Sequence, residues 1–308
     1  MQEDIKISAV IPTYNREKTI GRALESALAQ EYPTSEIIVV DDGSKDNTRK
    51  IVESYGEKVR YVYQENAGVS GARNRGVNEA KFDWIAFLDS DDYWLPGHLR
   101  NMVNAIKATE GEAALYFSDI KRAPDEGGEY YWDRCGFKVT PPYQFKNDAG
   151  DWAIMPIQPM MFQASVIRRA SYLEIGGIPE DLQTREDTLM FFKLGLLYPA
   201  CAVSGCGTVM GSDGNMRLTQ ELHSGSLSYG FATISIYKEV LAIREDISPK
   251  RRKFFIDALS TAYFGTGRIC YRKKKYLSSV RYLFESAIIS RSGFTKCFLD
   301  SLRRRILK

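Results

Sequence analysis

Asp89-Ser90-Asp91-Asp92 follows directly on the apolar run Trp84-Ile85-Ala86-Phe87-Leu88. An apolar run of that length reads as a buried strand, which delivers its last residue to the carboxyl end of a sheet, where α/β folds build their sites. The carboxylates of Asp89, Asp91 and Asp92 crowd there and repel one another. A hard divalent cation relieves such repulsion, and Mg²⁺ or Mn²⁺ typically bridges a few carboxylates to a substrate diphosphate. The same residues also suit a solvated acidic turn ahead of a helix with Pro96 at its first position. The surrounding segments decide between the two readings.

Three strand-like segments come first. Ile7 to Ile11 ends in Pro12-Thr13-Tyr14-Asn15, Glu36 to Val40 ends in Asp41-Asp42-Gly43-Ser44, and Arg60 to Tyr63 leads into Asn66-Ala67-Gly68-Val69-Ser70-Gly71-Ala72-Arg73-Asn74-Arg75-Gly76. Helical stripes lie between them. Asn15 is placed to cap a helix carrying Ile20, Ala23, Leu24, Ala27 and Leu28, and Gly56 suits the end of the Ile51, Val52, Tyr55 stripe. Leu99, Met102, Val103 and Ile106 follow Pro96, and His98 reads as an ordinary helix residue. Alternating βα units give a doubly wound, mostly parallel sheet flanked by helices. Residues 124–159 lack periodicity and read as long loops, either a lid or acceptor wall or an insertion without fixed structure. Beyond them, Arg185-Glu186-Asp187 opens an apolar helix with Leu189, Phe191, Phe192 and Leu194, which puts Asp187 in a first turn, where backbone N–H groups stabilise a carboxylate.

The ordered set PTYN, VVDDGS, NAGVSGARNRG, FLDSDD and REDTLMFFKL, from about Ile5 to Ser228, resembles the family 2 glycosyltransferases, an inverting group with the GT-A fold. The resemblance implies a UDP-sugar donor and a glycan or lipid-linked glycan acceptor. Pro12, Thr13, Tyr14 and Asn15 would wall the base and ribose, Asp42 would accept from the uracil N3–H, and Arg73 would reach base or phosphate. Asp91 would be the direct ligand of Mn²⁺ or Mg²⁺. Asp89 would reach the ribose, or the metal through water, and Asp92 receives no role. His223 resembles a histidine that follows the catalytic helix in relatives, as a further metal or diphosphate ligand; a structural histidine is the competing reading. Asp187 matches the catalytic base, with Glu186 beside it as substitute or positioner. The implied layout is a GT-A domain over residues 1–228, with a nucleotide-sugar half to about 120 and an acceptor half after it, then a helical region over 229–308.

Other classes fit less well. A sugar nucleotidyltransferase needs a glycine-rich basic loop after its first strand, and this chain has PTYN there. GxxxxGK[ST] and GxGxxG are both absent. A non-catalytic sugar- or lipid-binding scaffold remains, although Asp42, Asp89, Asp91 and Asp187 are intact. The chain also lacks the QxxRW motif of processive synthases, which points to addition of single sugars.

The 308 residues are 44% hydrophobic and 26% charged, as in soluble globular proteins. The five cysteines show no CxxC spacing and read as reduced thiols, and the N-terminus does not read as a signal peptide. Charge is divided unevenly. Lys250 to Lys308 holds 16 Lys and Arg against three acids, a surplus of +13 in a chain of net +3. The stripes Leu277, Val280, Phe284, Ala287, Ile288 and Phe294, Cys297, Phe298, Leu302 read as a small helical core. The surrounding charge suggests a cytoplasmic enzyme held electrostatically on an anionic membrane face, with a solvated basic bundle as the competing reading. No nucleic-acid recognition motif accompanies the charge.

Overall fold

Ile7–Thr13 (β1) is buried at all seven positions, so it can only lie inside a sheet covered on both faces. The computed structural model describes residues 4–124, 127–182, 184–211, 226–243 and 247–306. Beside β1 lie Glu36–Asp41 (β2), Arg60–Tyr63 (β3) and Trp84–Phe87 (β4), all parallel. Between them run the helices Ile20–Leu28 (α1), Thr48–Glu53 (α2) and Gly68–Glu79 (α3). Further on come Tyr93–Trp94 (β5), His98–Ala108 (α4), Leu115–Arg122 (β6), Tyr131–Cys135 (α5), Tyr143–Lys146 (β7) and Gly150–Ala153 (α6). Ser165–Arg168 (β8), Arg169–Glu174 (α7), Glu186–Leu197 (α8) and Ala200–Met210 (β9) complete the first part. Among the described residues the sheet runs β3-β2-β1-β4-β8-β6-β9-β5, with β7 also paired to β9. β8 is antiparallel to β4 and β6, while β6 and β9 are parallel, so the sheet is mixed but mostly parallel.

The two faces have separate cores. One packs α1 and α4 on Ile7, Ile11, Val39, Ala86 and Tyr116. The other packs α3 and α8 on Val10, Ile38, Phe87 and Phe117. Several local expectations need correction. Asn15 does not cap α1: it takes φ +52° in the preceding turn, and α1 begins after Thr19. Pro96 stands two residues ahead of α4, whose cap position is Gly97. Residues 124–159, expected as loops, hold α5, β7 and α6. Their aromatics fold inward: Trp132, Phe137 and Trp152 surround Phe117 with ring centroids 5.7–5.9 Å away. Irregular spacing concealed them because they fill a hole in a sheet face rather than one stripe of a helix.

The chain divides into two compact units, Met1–Asp181 with Glu186–Asn215 and Leu182–Arg185 with Met216–Lys308. The division falls before the expected boundary at 228. The second unit contains Leu227–Ala242 (α9), Pro249–Arg272 (α10), Tyr276–Ile289 (α11) and Arg291–Ile306 (α12). Its core is Ile234, Leu259 and Tyr263, with Tyr237, Leu241, Tyr282 and Ile289 packed against them. The expected core stripe of α11 is turned the other way, since Leu277, Val280, Phe284 and Ile288 are exposed. Phe298 is exposed as well, with Phe294 and Cys297 half-buried. All five cysteines are free, and no helix among the described residues is long and apolar enough to cross a membrane.

His98 is buried against Trp94 at 5.2 Å between ring centroids, and neither ring nitrogen has a partner. β9 passes so close that a Cβ at Gly207 would overlap the ring. Burial pushes the His98 pKa down to about 3. The folded value lies below the unfolded one of about 6.5. The neutral ring's contribution is therefore intact above about pH 6.5 and is lost as pH falls toward 3, at about 1.4 kcal/mol per pH unit. Urea titrations between pH 7 and pH 4 should show this slope, and His98→Leu should flatten it.

Candidate active site

β2 hands over to a turn whose two aspartates face different partners. Asp41 accepts from Ser44 N at 2.8 Å and from the Tyr61 hydroxyl at 2.7 Å, so it holds the turn itself. Asp42 is buried, and its Oδ1 accepts from Gln64 Nε2 and Ala67 N, each at 2.8 Å. Its Oδ2 accepts from Gly68 N at 2.9 Å. Ala67 and Gly68 open α3, so the Asp42 carboxylate caps that helix at the positive end of its dipole. Oδ2 keeps room for a second donor.

At the end of β1, Pro12 and Thr13 are buried in the strand, and the Thr13 hydroxyl lacks a partner. Tyr14 is exposed. The Asn15 side-chain oxygen accepts from Lys45 N at 2.8 Å, and its backbone N donates to Ser44 Oγ at 2.9 Å, so this turn is locked to the Asp41-Asp42 turn.

α3 shows no amphipathic stripe because both its sides are covered: Ser70, Gly71, Ala72, Arg73, Gly76 and Val77 are all buried. Gly76 is essential to that packing, since a Cβ there would overlap Val10 of β1. The Arg73 guanidinium lies inside, donating to Asp89 Oδ1 at 2.8 Å and to Glu186 Oε1 at 3.2 Å, with the Phe162 ring 4.3 Å beneath it. Arg73 therefore joins the acidic turn to the start of α8. The adjacent Asn74 does the same for the loop ahead of α8: Nδ2 donates to Ile178 O at 2.8 Å, and Oδ1 accepts from Ile178 N at 3.0 Å and from the Tyr172 hydroxyl at 2.7 Å. The sequence reading placed Arg73 on base or phosphate and overlooked Asn74. The available signal was a polar pair in a helix lacking any hydrophobic period.

The acidic turn separates its carboxylates. Asp89 faces Arg73. The Asp91 side chain lies 3.6 Å from the Arg16 guanidinium, and its carbonyl accepts from Arg22 Nη2 at 2.6 Å. Asp92, which had no role from sequence, is buried and accepts from Gly211 N at 2.9 Å, stapling the end of β9 to the turn. Arg16 and Arg22 were missed; both sit shortly after PTYN, where cations suit a diphosphate.

α8 begins with Glu186 and Asp187 in its first turn. Burial, then the Asp187 charge, pushes the Glu186 carboxyl above the usual range, while Arg73 acts against both. Asp187 is half-buried, and its Oδ1 accepts from Thr188 N at 2.6 Å. Glu186 is thus committed to Arg73, leaving Asp187 as the carboxylate with an outer side. Nearby, Ile120, Arg122, Tyr131, Arg134, Met161 and Met210 line a small cleft built from β6, α5 and β9.

Among the described residues no three His, Cys, Asp or Glu side chains gather as a metal-holding group. His223 lies outside the described residues. The donor set still suits a hard cation, because Mg²⁺ and Mn²⁺ sites at nucleotides use one or two carboxylates and take the remaining oxygens from phosphate and water. Asp91 and Asp89 would supply those carboxylates.

A mostly parallel sheet with an acidic turn after β4, and a carboxylate pair opening a helix across from it, defines a GT-A glycosyltransferase core. Solved structures share this fold. The 1–349 portion of S. aureus TarS, in complex with UDP-GlcNAc, matches with TM-score 0.70 at 18% identity over 94% of this chain and 83% of that one. Mannosyltransferase PcManGT from Pyrobaculum calidifontis, in complex with GDP-Man and Mn²⁺, matches with TM-score 0.58 at 18% identity over 99% and 81%. Residues 8–175 match the family model for glycosyl transferase family 2, and the chain belongs to that family. An uncharacterised glycosyltransferase of Rickettsia typhi is 30% identical over 189 residues, 61% of this chain and 58% of the relative. Succinoglycan biosynthesis protein ExoO of Rhizobium meliloti is 42% identical over 116 residues, 37% of this chain and 33% of the relative. The chain thus spans less than two thirds of these relatives' length.

Proposed function

We propose that this glycosyltransferase moves a single sugar from a UDP-sugar to a hydroxyl of a glycan or lipid-linked glycan, with inversion and with Mn²⁺ or Mg²⁺. The observation that carries the reading is Arg73, which ties Asp89 of the acidic turn to Glu186 beside Asp187. One guanidinium thereby holds the donor end and the acceptor end of the reaction in one site.

Asp187 is the group that takes the proton from the acceptor hydroxyl as it attacks opposite the leaving nucleotide. Glu186 and Arg73 fix the start of α8, and hence the direction of the Asp187 carboxylate. A cation on Asp91 and Asp89 would neutralise charge building on the departing diphosphate. Arg16 and Arg22 stand beside the same turn. Tyr14, exposed at the end of β1, is placed to pack on the base, and Asp42 offers its remaining Oδ2 position to the uracil imide.

Two expected results test the donor side. Asp91→Ala should abolish transfer and remove the metal-dependent part of UDP binding by calorimetry. Full transfer by the wild type in excess EDTA would refute the metal requirement. Asp42→Ala should weaken UDP by roughly 1.5–3 kcal/mol, the range for a hydrogen bond to a charged group. Because Asp42 also caps α3, it should lower thermal stability too, and comparison with GDP isolates the base contact. GDP bound as tightly as UDP by the wild type would overturn the uracil assignment.

The alternative, a non-catalytic sugar- or lipid-binding scaffold, predicts no hydrolysis of any UDP-sugar in the absence of acceptor. Assay of UDP release from a panel of UDP-sugars with Mn²⁺ separates the two.

A further inference from the structure

α11 carries two apolar faces, and its own unit covers one of them. The covered face, toward α10, mixes Tyr282, Leu283 and Ile289 with small polar residues. Ser279, Ser286 and the following Ser290 are buried there, Ser286 Oγ donates to Ser260 O at 2.7 Å, and Ser260 Oγ donates to Ser286 O at 2.9 Å. A Cβ at Gly267 of α10 would come within 3.0 Å of the Leu283 side chain, so the two helices lie close together. The opposite face carries Leu277, Val280, Phe284 and Ile288, spaced at helical intervals and 91%, 67%, 66% and 64% exposed. A helix on the surface of a water-soluble domain normally has one apolar stripe and turns it inward, so a second, outward stripe calls for an apolar medium. Small and hydroxyl-bearing residues between helices, with large aliphatic residues outside, suit an apolar medium.

The exposed charge around the stripe has one sign, and the one acid of the helix, Glu285, is half-buried. Arg272, Lys273, Lys274 and Lys275 are exposed just before it, Arg281 is exposed within the helix, and Arg291 and Lys296 are exposed just after it. Tyr271 and Tyr276, both exposed, meet edge to face at 5.7 Å at the N-terminal end. Such rings, apolar with a polar tip, settle where hydrocarbon meets headgroups.

A second copy of this chain is a poor cover for the stripe. Paired antiparallel, Lys273–Lys275 would lie beside Arg291 and Lys296; paired parallel, each basic end would lie on itself. An anionic lipid surface opposes every one of these charges, and long basic side chains can keep their heads at the headgroups while their stems lie along the apolar face.

We propose that α11 is a membrane-insertion element that lies in the plane of an anionic leaflet, with Leu277, Val280, Phe284 and Ile288 below the headgroups and the flanking basic residues at them. This goes beyond attachment by charge alone, and it does not depend on the transfer chemistry. Apolar burial gives the attachment a part that salt does not remove.

The test uses the full chain and vesicles of phosphatidylglycerol with phosphatidylcholine, or of phosphatidylcholine alone. The second unit has no tryptophan, so Leu277→Trp can be compared with the wild type as a reporter. On anionic vesicles its emission should shift to the blue and be quenched by acyl-brominated lipid. Val280→Gln with Phe284→Gln should lower partition onto anionic vesicles by about tenfold or more, since each removes buried apolar area. UDP binding should be unchanged, showing that the variant is folded. Three results would each overturn the proposal: reporter emission from the Leu277→Trp variant that stays water-like on sedimented vesicles, unchanged partition of the double variant, or a wild-type dimer that the double variant converts to monomer. Vesicle binding is read without donor or acceptor, so absence of transfer would leave this result standing.

Discussion

Asp187→Asn should lower turnover by about 10²–10⁴-fold, the range general base catalysis contributes, while leaving UDP affinity within about twofold. The amide keeps the size of the carboxylate and loses its capacity to take a proton. The first turn of α8 should survive the change, because the hydrogen bond from Thr188 N to Oδ1 has an oxygen acceptor in asparagine too. The effect therefore belongs in kcat and not in donor binding. Single-turnover measurement with saturating UDP-sugar would isolate the chemical step. Near-normal turnover would move the role elsewhere, and Glu186 would be tested next. Its pairing with Arg73 at 3.2 Å makes it the weaker candidate. A base that must accept a proton gains nothing from a buried guanidinium that favours its ionised form.

The second large effect falls on Arg73. Arg73→Met keeps most of the side-chain volume over Phe162 but leaves Asp89 and Glu186 without their shared cation. Removing one partner of a fully buried ion pair costs about 3–5 kcal/mol because an uncompensated charge remains, and the 25% and 17% exposure of the Asp89 and Glu186 side chains places this loss at or below the lower end of that range. We expect a loss of that order in urea unfolding, together with loss of transfer. Arg73→Lys should recover part of the stability but not the two-armed geometry, since an ammonium is a point charge and cannot span both carboxylates as a planar fork does. The triple change Arg73→Met, Asp89→Leu and Glu186→Met removes all three charges. It should regain most of the stability without regaining activity. If the triple variant stayed as unstable as Arg73→Met, the cost would come from packing over Phe162 and not from charge.

These two residues also mark how far sequence reasoning reaches. The alternation of apolar runs and helical stripes was sufficient for the parallel βα half, because both signals are local: burial on both faces gives continuous apolar strands, and a single packed face gives a stripe. The acidic turn after Phe87-Leu88 and the carboxylates at the head of α8 were legible for the same reason, since the side chains that matter are neighbours in the chain. The aromatic cluster of Trp132, Phe137 and Trp152 was not legible, because it fills space against Phe117 of β6 without any period of its own.

The sequence by itself determined the class of fold, the order of its motifs and the place of Asp42, Asp89, Asp91 and Asp187 at element ends. Only the tertiary structure decided what those ends meet. Arg73 and Glu186 are 113 residues apart, and no local pattern encodes their contact. Asp92 acquires its role from Gly211, 119 residues away, once β9 returns to the turn. The stripe of α11 illustrates the same limit. Helical periodicity establishes that Leu277, Val280, Phe284 and Ile288 share a face, but carries no information on which way the face turns. That direction shows only in the packing of the other side, where Ser286 exchanges hydrogen bonds with Ser260 and Leu283 lies against Gly267 of α10.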